Sequence, residues 1–231
     1  MDWWIYPLCG YILVCAISTG AFYVNEKRAW ACIFKLAASV GFVLIGILST
    51  YFHPEDLRYS AFVLTGLLFC IAGDVMLMIK ELFEEKFATR FLLGGILFFS
   101  CAQILFSTAM IIDAGSFNFW LLPLLVIVPV GLIVAHKMHI VTFDRYGLVM
   151  LLYGAIISLS FISALNGLVL LRSDFYLAMM FAIAFFMISD SALCYTYYGY
   201  DNNLKRMLNY VVMLFYYVAM ILISFSITIK A

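Results

Sequence analysis

Two aspartates lie inside stretches of the chain that are otherwise apolar. Asp74 falls in the run 59–79 and Asp190 in the run 174–197. An aspartate in membrane hydrocarbon costs about 3 kcal/mol even on the scale derived from insertion experiments. Intramembrane acids mostly face cavities or proton pathways, so we predict that these two carboxyl groups perform general acid and base catalysis. A structural alternative, in which each acid is bonded to a neighbouring Lys or Tyr, stays open.

The composition indicates an integral membrane protein. The chain has 231 residues, of which 67% are hydrophobic and 11% charged, and its mean hydropathy is +1.10. A soluble domain is closer to half apolar and a quarter charged. Thirteen Lys and Arg balance thirteen Asp and Glu, so no global field favours nucleic acid as a partner. We expect membrane lipid around the chain and make no prediction of oligomeric state.

Apolar runs separated by short polar loops predict an all-α protein with eight transmembrane helices in a single domain, 1–231. Each run is close to the roughly 20 residues that a helix needs to cross a bilayer. The two acids fall on the third helix of each half, which favours a four-plus-four repeat about an axis along the membrane normal. The predicted spans are 4–24, 31–51, 59–79, 89–112, 119–135, 146–170, 174–197 and 207–229.

The loop cations predict the orientation in the membrane. The loops after spans one, three, five and seven carry nine Lys and Arg, whereas the opposite loops carry Arg58, Arg172 and Lys230. Because cytoplasmic loops are enriched in Lys and Arg, we expect both termini outside the cytoplasm. We call the cation-rich side the basic face; its residues are Lys27, Arg28, Lys80, Lys86, Arg90, Lys137, Arg145, Lys205 and Arg206.

The two acids and one cation are expected to share a layer of the membrane. Asp74 and Asp190 come five and seven residues before the ends of their spans, or roughly 8–11 Å from the basic face at 1.5 Å per residue. Lys35 enters from that face and lies at a similar depth, and Gln103 and Tyr153 fall in or near the same half. Lys35 either joins this layer or extends its ammonium to the headgroups.

Metal and disulfide chemistry are not indicated. His53, His136 and His139 lie in or near loops, so a buried histidine cage for zinc is not expected. All six cysteines lie inside apolar segments and none forms a CxxC pair, which is typical of small core residues. We therefore expect no cofactor.

The acids and their neighbours resemble the motifs of the lysoplasmalogenase, or YhhN-like, membrane proteins. The resemblance extends from about Lys35 to the last helix and implies eight spans and hydrolysis of the alkenyl ether of lysoplasmalogens, with a lysophospholipid as substrate. We predict Asp74 and Asp190 as catalytic residues, and Lys35, Gln103, Tyr153 and Ser189 as substrate-binding residues. The residues that carry the resemblance are Gly73-Asp74-x-x-Leu77, Phe186-x-x-Ser189-Asp190, Lys35 and Tyr153.

The chain departs from the family pattern at three places. Leu36 follows the lysine where proline is usual, Ala182-Ile183 replaces a common Gly-Ala, and Gln103 stands where a histidine is frequent. The last change leaves open a lipid-binding relative without catalysis. A proton-coupled carrier of lipids or other small molecules is a further alternative, because paired membrane acids also form proton relays.

Two carboxyl groups suit alkenyl ether hydrolysis. Protonation of the β-carbon generates an oxocarbenium ion, which water attacks to give a hemiacetal. Glycosidases use a neutral carboxylic acid as the proton donor and an ionised carboxylate as its partner in a similar reaction. Lys35 would keep one acid ionised or contact the substrate phosphate; the sequence does not assign which aspartate is the acid.

The orientation is testable by labelling. Cysteines placed at Glu84 or Asp201 should be protected from a membrane-impermeant thiol reagent in intact cells, whereas a cysteine at Glu55 should react. Of these three loops, only the one with Glu55 is predicted to face outward. The six native cysteines lie in apolar segments, and labelling of the unmodified protein gives the background signal. The reverse pattern would place the layer of acids in the outer leaflet.

Overall fold

Eight helices long and apolar enough to cross a membrane make up the computed structural model, which describes residues 3–82, 85–143 and 146–230, with the side chains of 82 and 85–87 excepted. The predicted all-α class with eight spans is confirmed. Glu84, Arg145 and the side chain of Lys86 lie outside the described part. The helices are α1 Ile5–Val24, α2 Arg28–Phe52, α3 Leu57–Leu82, α4 Glu85–Ala114, α5 Ile127–Lys137, α6 Gly147–Leu171, α7 Asp174–Tyr198 and α8 Asn202–Lys230.

The fifth span is not one continuous α-helix. Residues Phe119–Val126 form a 3₁₀ segment, and α5 begins only at Ile127. Pro123 lies within the 3₁₀ segment, and Pro129 falls in the first turn of α5, where its missing N–H costs no intrahelical hydrogen bond. No residue of either element is buried, although both pack against α6. The fifth span is therefore the most lipid-exposed of the eight.

The last helix occupies the centre of the bundle. α8 contacts α1, α2, α3 and α7, while α3 packs along α4 and α4 along α6. Glycines permit the closest approaches: a Cβ at Gly66 would lie 2.3 Å from Phe106, and one at Gly73 would lie 2.9 Å from Phe99. The second contact brings α4 against the residue that precedes Asp74.

The two halves pair their helices in parallel ways, with one difference. α2 packs against α8 as α6 packs against α4, and α3 pairs with α4 as α7 pairs with α8. α1 also packs against α8, but its counterpart α5 faces α4 across a cavity whose walls include Ile96 and Leu132. The four-plus-four repeat stays a prediction that this pairing favours.

One lysine joins four helices at the face opposite the basic face. Lys230, at the end of α8, places its Nζ 2.6 Å from Asp113 Oδ1 of α4 and also pairs with Asp56, just before α3. Tyr176 of α7 donates its hydroxyl hydrogen to Asp113 Oδ2 at 2.6 Å. The Lys230 side chain is 14% exposed, so these charges interact with less solvent screening than a surface pair.

Lys230→Met should lower the free energy of unfolding by about 1–3 kcal/mol, because it leaves the partly buried Asp113 carboxylate without its cation. The exposed pair of Arg206 and Glu26, 3.9 Å apart, provides the control: Glu26→Gln should change that free energy by less than about 1 kcal/mol. Both values can be measured by reversible unfolding in mixed micelles. Equal effects of the two variants would contradict a stabilising role for Lys230.

Candidate active site

Asp74 is held in a buried ion pair between α2 and α3. Its Oδ1 lies 3.2 Å from Lys35 Nζ, and its Oδ2 accepts hydrogen bonds from Ser39 Oγ at 2.7 Å and from the Tyr216 hydroxyl at 2.9 Å. Asp74 is 1% exposed and Lys35 is 4% exposed. The carboxylate thus has a cation and two hydroxyl donors, which is the environment that a buried charge requires.

The tyrosine next to Tyr216 bonds to the backbone beside this ion pair. The Tyr217 hydroxyl donates to the Lys35 carbonyl oxygen at 2.9 Å and lies 3.2 Å from Ser39 Oγ. Ser39 follows Lys35 by one helical turn, so both side chains lie on the same face of α2. Adjacent tyrosines of α8 therefore reach α3 and α2, which fixes the central helix against the ion pair.

Asp190 has a different environment. The Tyr153 hydroxyl of α6 donates to Asp190 Oδ2, and no Lys or Arg among the described residues forms an ion pair with Asp190. Asp190 is half-buried and lines a cavity, whereas Asp74 does not line it. One of the two acids is therefore held in a polar network, and the other is accessible from the cavity.

The cavity lies between α4, α5, α6 and α7, with Leu77 of α3 also on its wall, and it is mostly apolar. Its volume is about 70 Å³. Since one water molecule needs roughly 10–15 Å³ of such volume, the cavity can hold several water molecules. Among the described residues, the carboxyl, hydroxyl and thiol groups of the cavity wall all belong to α6 and α7. The lining residues with such groups are Tyr153, Asp190, Ser191, Cys194, Tyr197 and Tyr198.

The two acids belong to one electrostatic unit. Asp74, Lys35 and Cys70, which is one turn before Asp74, lie near enough to Asp190 for their charges to influence one another. In a membrane interior of low dielectric constant such interactions are weakly screened. The structure thus brings Lys35, Asp74, Tyr153 and Asp190 into a single region.

The other expected substrate-binding residues do not line the cavity. Ser189 is 1% exposed and donates to the Val212 carbonyl oxygen at 3.1 Å, so it holds α7 against α8. Lys35 is turned to Asp74 and does not extend to the headgroups. The Gln103 side chain is fully buried, and neither its amide oxygen nor its amide nitrogen has a hydrogen-bond partner among the described residues. Their roles towards substrate stay predictions.

Sequence reasoning named Lys35 as a possible cation for one of the acids but did not identify the hydroxyl groups that bond to Asp74. Ser39 could have been found from its spacing of four residues after Lys35, which places both on one helix face. Tyr216 and Tyr217 gave no such signal, because α8 contains several aromatic residues and only the packing of α8 against α2 and α3 distinguishes these two.

Comparisons with known proteins agree with these motifs. The profile of the YhhN family, which contains lysoplasmalogenases, matches residues 30–227. The search of curated proteins and the search of solved structures give no match. The matched region covers most of the chain and includes the ion pair, Tyr153 and Asp190. The chain therefore belongs to the YhhN family.

Proposed function

We propose that this chain hydrolyses the alkenyl ether bond of lysoplasmalogens, giving a fatty aldehyde and a glycerophospho-alcohol. The observation that carries the proposal is an acid, Asp190, on the wall of an apolar cavity in the membrane, beside a second acid already neutralised by Lys35. Membership of a family that contains lysoplasmalogenases supports the same reaction.

Asp190 is the proposed general acid. It is the carboxyl group that a substrate in the cavity would meet, and without a cation it can carry a proton in a site of low dielectric constant. Tyr153 donates to Oδ2, while Oδ1 makes no hydrogen bond to a described residue. Oδ1 is thus the oxygen assigned to carry the transferred proton.

In the proposed reaction Asp190 acts first as a general acid and then as a general base. Asp190 donates its proton to the β-carbon of the vinyl ether, and the electron pair of the ether oxygen forms the oxocarbenium ion. Water attacks the cationic carbon and returns a proton to Asp190. The resulting hemiacetal loses its hydroxyl proton and breaks the bond to the glyceryl oxygen, which is protonated as the alcohol leaves. Water that enters the cavity supplies the nucleophile.

The Lys35–Asp74 pair acts on this chemistry from a distance. The carboxylate of Asp74 favours the positive charge that develops on the substrate, and Lys35 prevents two adjacent carboxylates from repelling one another. Because the pair does not line the cavity, Lys35 and Asp74 are assigned as positioning residues. This arrangement differs from a glycosidase pair, in which both carboxyl groups contact the substrate.

Asp190→Asn should lower kcat for alkenyl lysophospholipid by about 10²–10⁴, the usual contribution of a general acid. Asparagine keeps the shape and the hydrogen bond from Tyr153, so the unfolding temperature should change little. Asp174→Asn, an exposed acid at the start of the same helix, is the matched control and should retain full activity. Aldehyde release by purified protein in lipid micelles measures both. Near-normal release by Asp190→Asn would exclude this residue as the acid, and no release by the unmodified protein would exclude the hydrolase.

The ion pair can be tested by a double-mutant cycle. Lys35→Met alone and Asp74→Leu alone should each destabilise the protein by about 3–5 kcal/mol, because each leaves one buried charge unpaired. The double variant should recover most of that stability, since an apolar pair of similar volume needs no desolvation. Its kcat should stay low if Asp74 assists the reaction. Full activity in a stable double variant would show that the pair is structural only.

A further inference from the structure

A second, larger cavity lies beside the active-site cavity on the side of α7 that faces lipid. We call it the lateral groove; its volume is about 520 Å³, which is typical of small-molecule sites. It runs between the 3₁₀ segment with α5, α6 and α7. Its lining residues are Leu124, Ile127, Ser158, Phe161, Ala184, Met187, Ile188 and Ser191.

The lateral groove adjoins the cavity that contains Asp190 along one stretch of α7. Met187 and Ser191 line both spaces. They are one helical turn apart on α7 and flank Asp190 in the sequence, so a molecule in the groove lies within a turn of the acid. The two spaces therefore meet the same turn of α7, the turn that carries the acid.

The groove opens to the hydrocarbon of the bilayer. Val126 and Ile127 are each 55% exposed and Ile188 is 45% exposed, and all three belong to membrane-spanning segments. Hydrocarbon chains are the surrounding medium at that depth. The chemistry of the occupant is thus apolar and flexible.

The polarity of the two spaces matches that of a single-chain lipid. Along α7 the groove extends from Ala184 to Ser191, and the cavity extends from Met187 to Tyr198 near the basic face. Lys80 lies with its Nζ 3.2 Å from the ring centroid of Tyr197, on the cavity wall. The cation and the Tyr197 ring thus lie at the end of the cavity near the basic face, whereas the only polar side chains among the groove residues named above are Ser158 and Ser191. This order corresponds to that of headgroup, ether and chain.

We propose that the lateral groove binds the hydrocarbon chain of a lysophospholipid, which enters sideways from the bilayer between α5 and α7, with the phosphate towards Lys80. The chain then lies along α7 and the first carbons lie next to Asp190. The identity of the reacting bond rests on the proposed function, whereas chain binding in the groove does not require any reaction.

The test uses a lysophospholipid that cannot be hydrolysed, with a saturated alkyl ether chain and a diazirine near the chain end. After irradiation in mixed micelles, peptide mapping should place adducts on the groove segments of α6 and α7, around Phe161 and Ala184. An excess of unlabelled alkyl lysophospholipid should remove them. Adducts spread over exposed positions such as Val40 and Leu44 of α2, or resistant to competition, would overturn the proposal in favour of bulk lipid contact.

Ala184→Trp fills the groove and should lower specific labelling at least tenfold, and raise KM for the alkenyl substrate by a similar factor with kcat less affected. Ala61→Trp, an exposed alanine of α3 outside both cavities, is the matched control and should change neither.

Should Ala184→Trp fail to fold, Ile188→Trp and the adduct map of the unmodified protein decide the question. Labelling unchanged in a folded groove variant would overturn the proposal. Specific labelling without any hydrolysis would support chain binding in the groove and contradict the proposed hydrolase activity. Hydrolysis without specific labelling would support the hydrolase activity and contradict chain binding in the groove.

Discussion

The arrangement of this bundle depends on the cost of burying a carboxylate in a membrane. Asp74 is 1% exposed, and such a charge persists only if opposite charge and hydrogen-bond donors surround it. Those partners come from α2 and α8, so the need to satisfy one side chain brings these two helices together against α3. The central position of α8 follows, because its tyrosines supply hydroxyl groups to α2 and α3 at the same level.

This constraint also separates the two acids by environment. The first half of the chain closes around Asp74, where α1 and α8 complete the packing. In the second half α5 is shortened by a 3₁₀ segment and stays apart from α4, and the space between them is the cavity that Asp190 lines. One acid is thus structural and electrostatic, and the other is accessible.

The proposed reaction requires a site that admits an amphiphile while it keeps bulk lipid away from the polar groups. The apolar walls of the cavity and groove accept a chain at little desolvation cost, while the polar groups of the cavity occur on α6 and α7. The same division keeps Asp190 and Tyr153 next to each other and away from the lipid-facing surface of α5.

The sequence by itself determined the membrane class, the eight helices and the two acids worth attention, because apolar runs and rare intramembrane charges are local features that need no tertiary context. It also placed Lys35 and Tyr153 in the same half as the acids. Only the tertiary structure decided that Lys35 pairs with Asp74, that Ser189 bonds to α8, and that Asp190 rather than Asp74 lines a cavity. All three findings depend on how each helix is rotated about its own axis. In a membrane that rotation is set by close packing between helices. The sequence does not reveal it, because these helices are hydrophobic on every face. The 3₁₀ segment escaped detection for a related reason: its prolines indicate an irregularity, but only the packing against α6 selects its form.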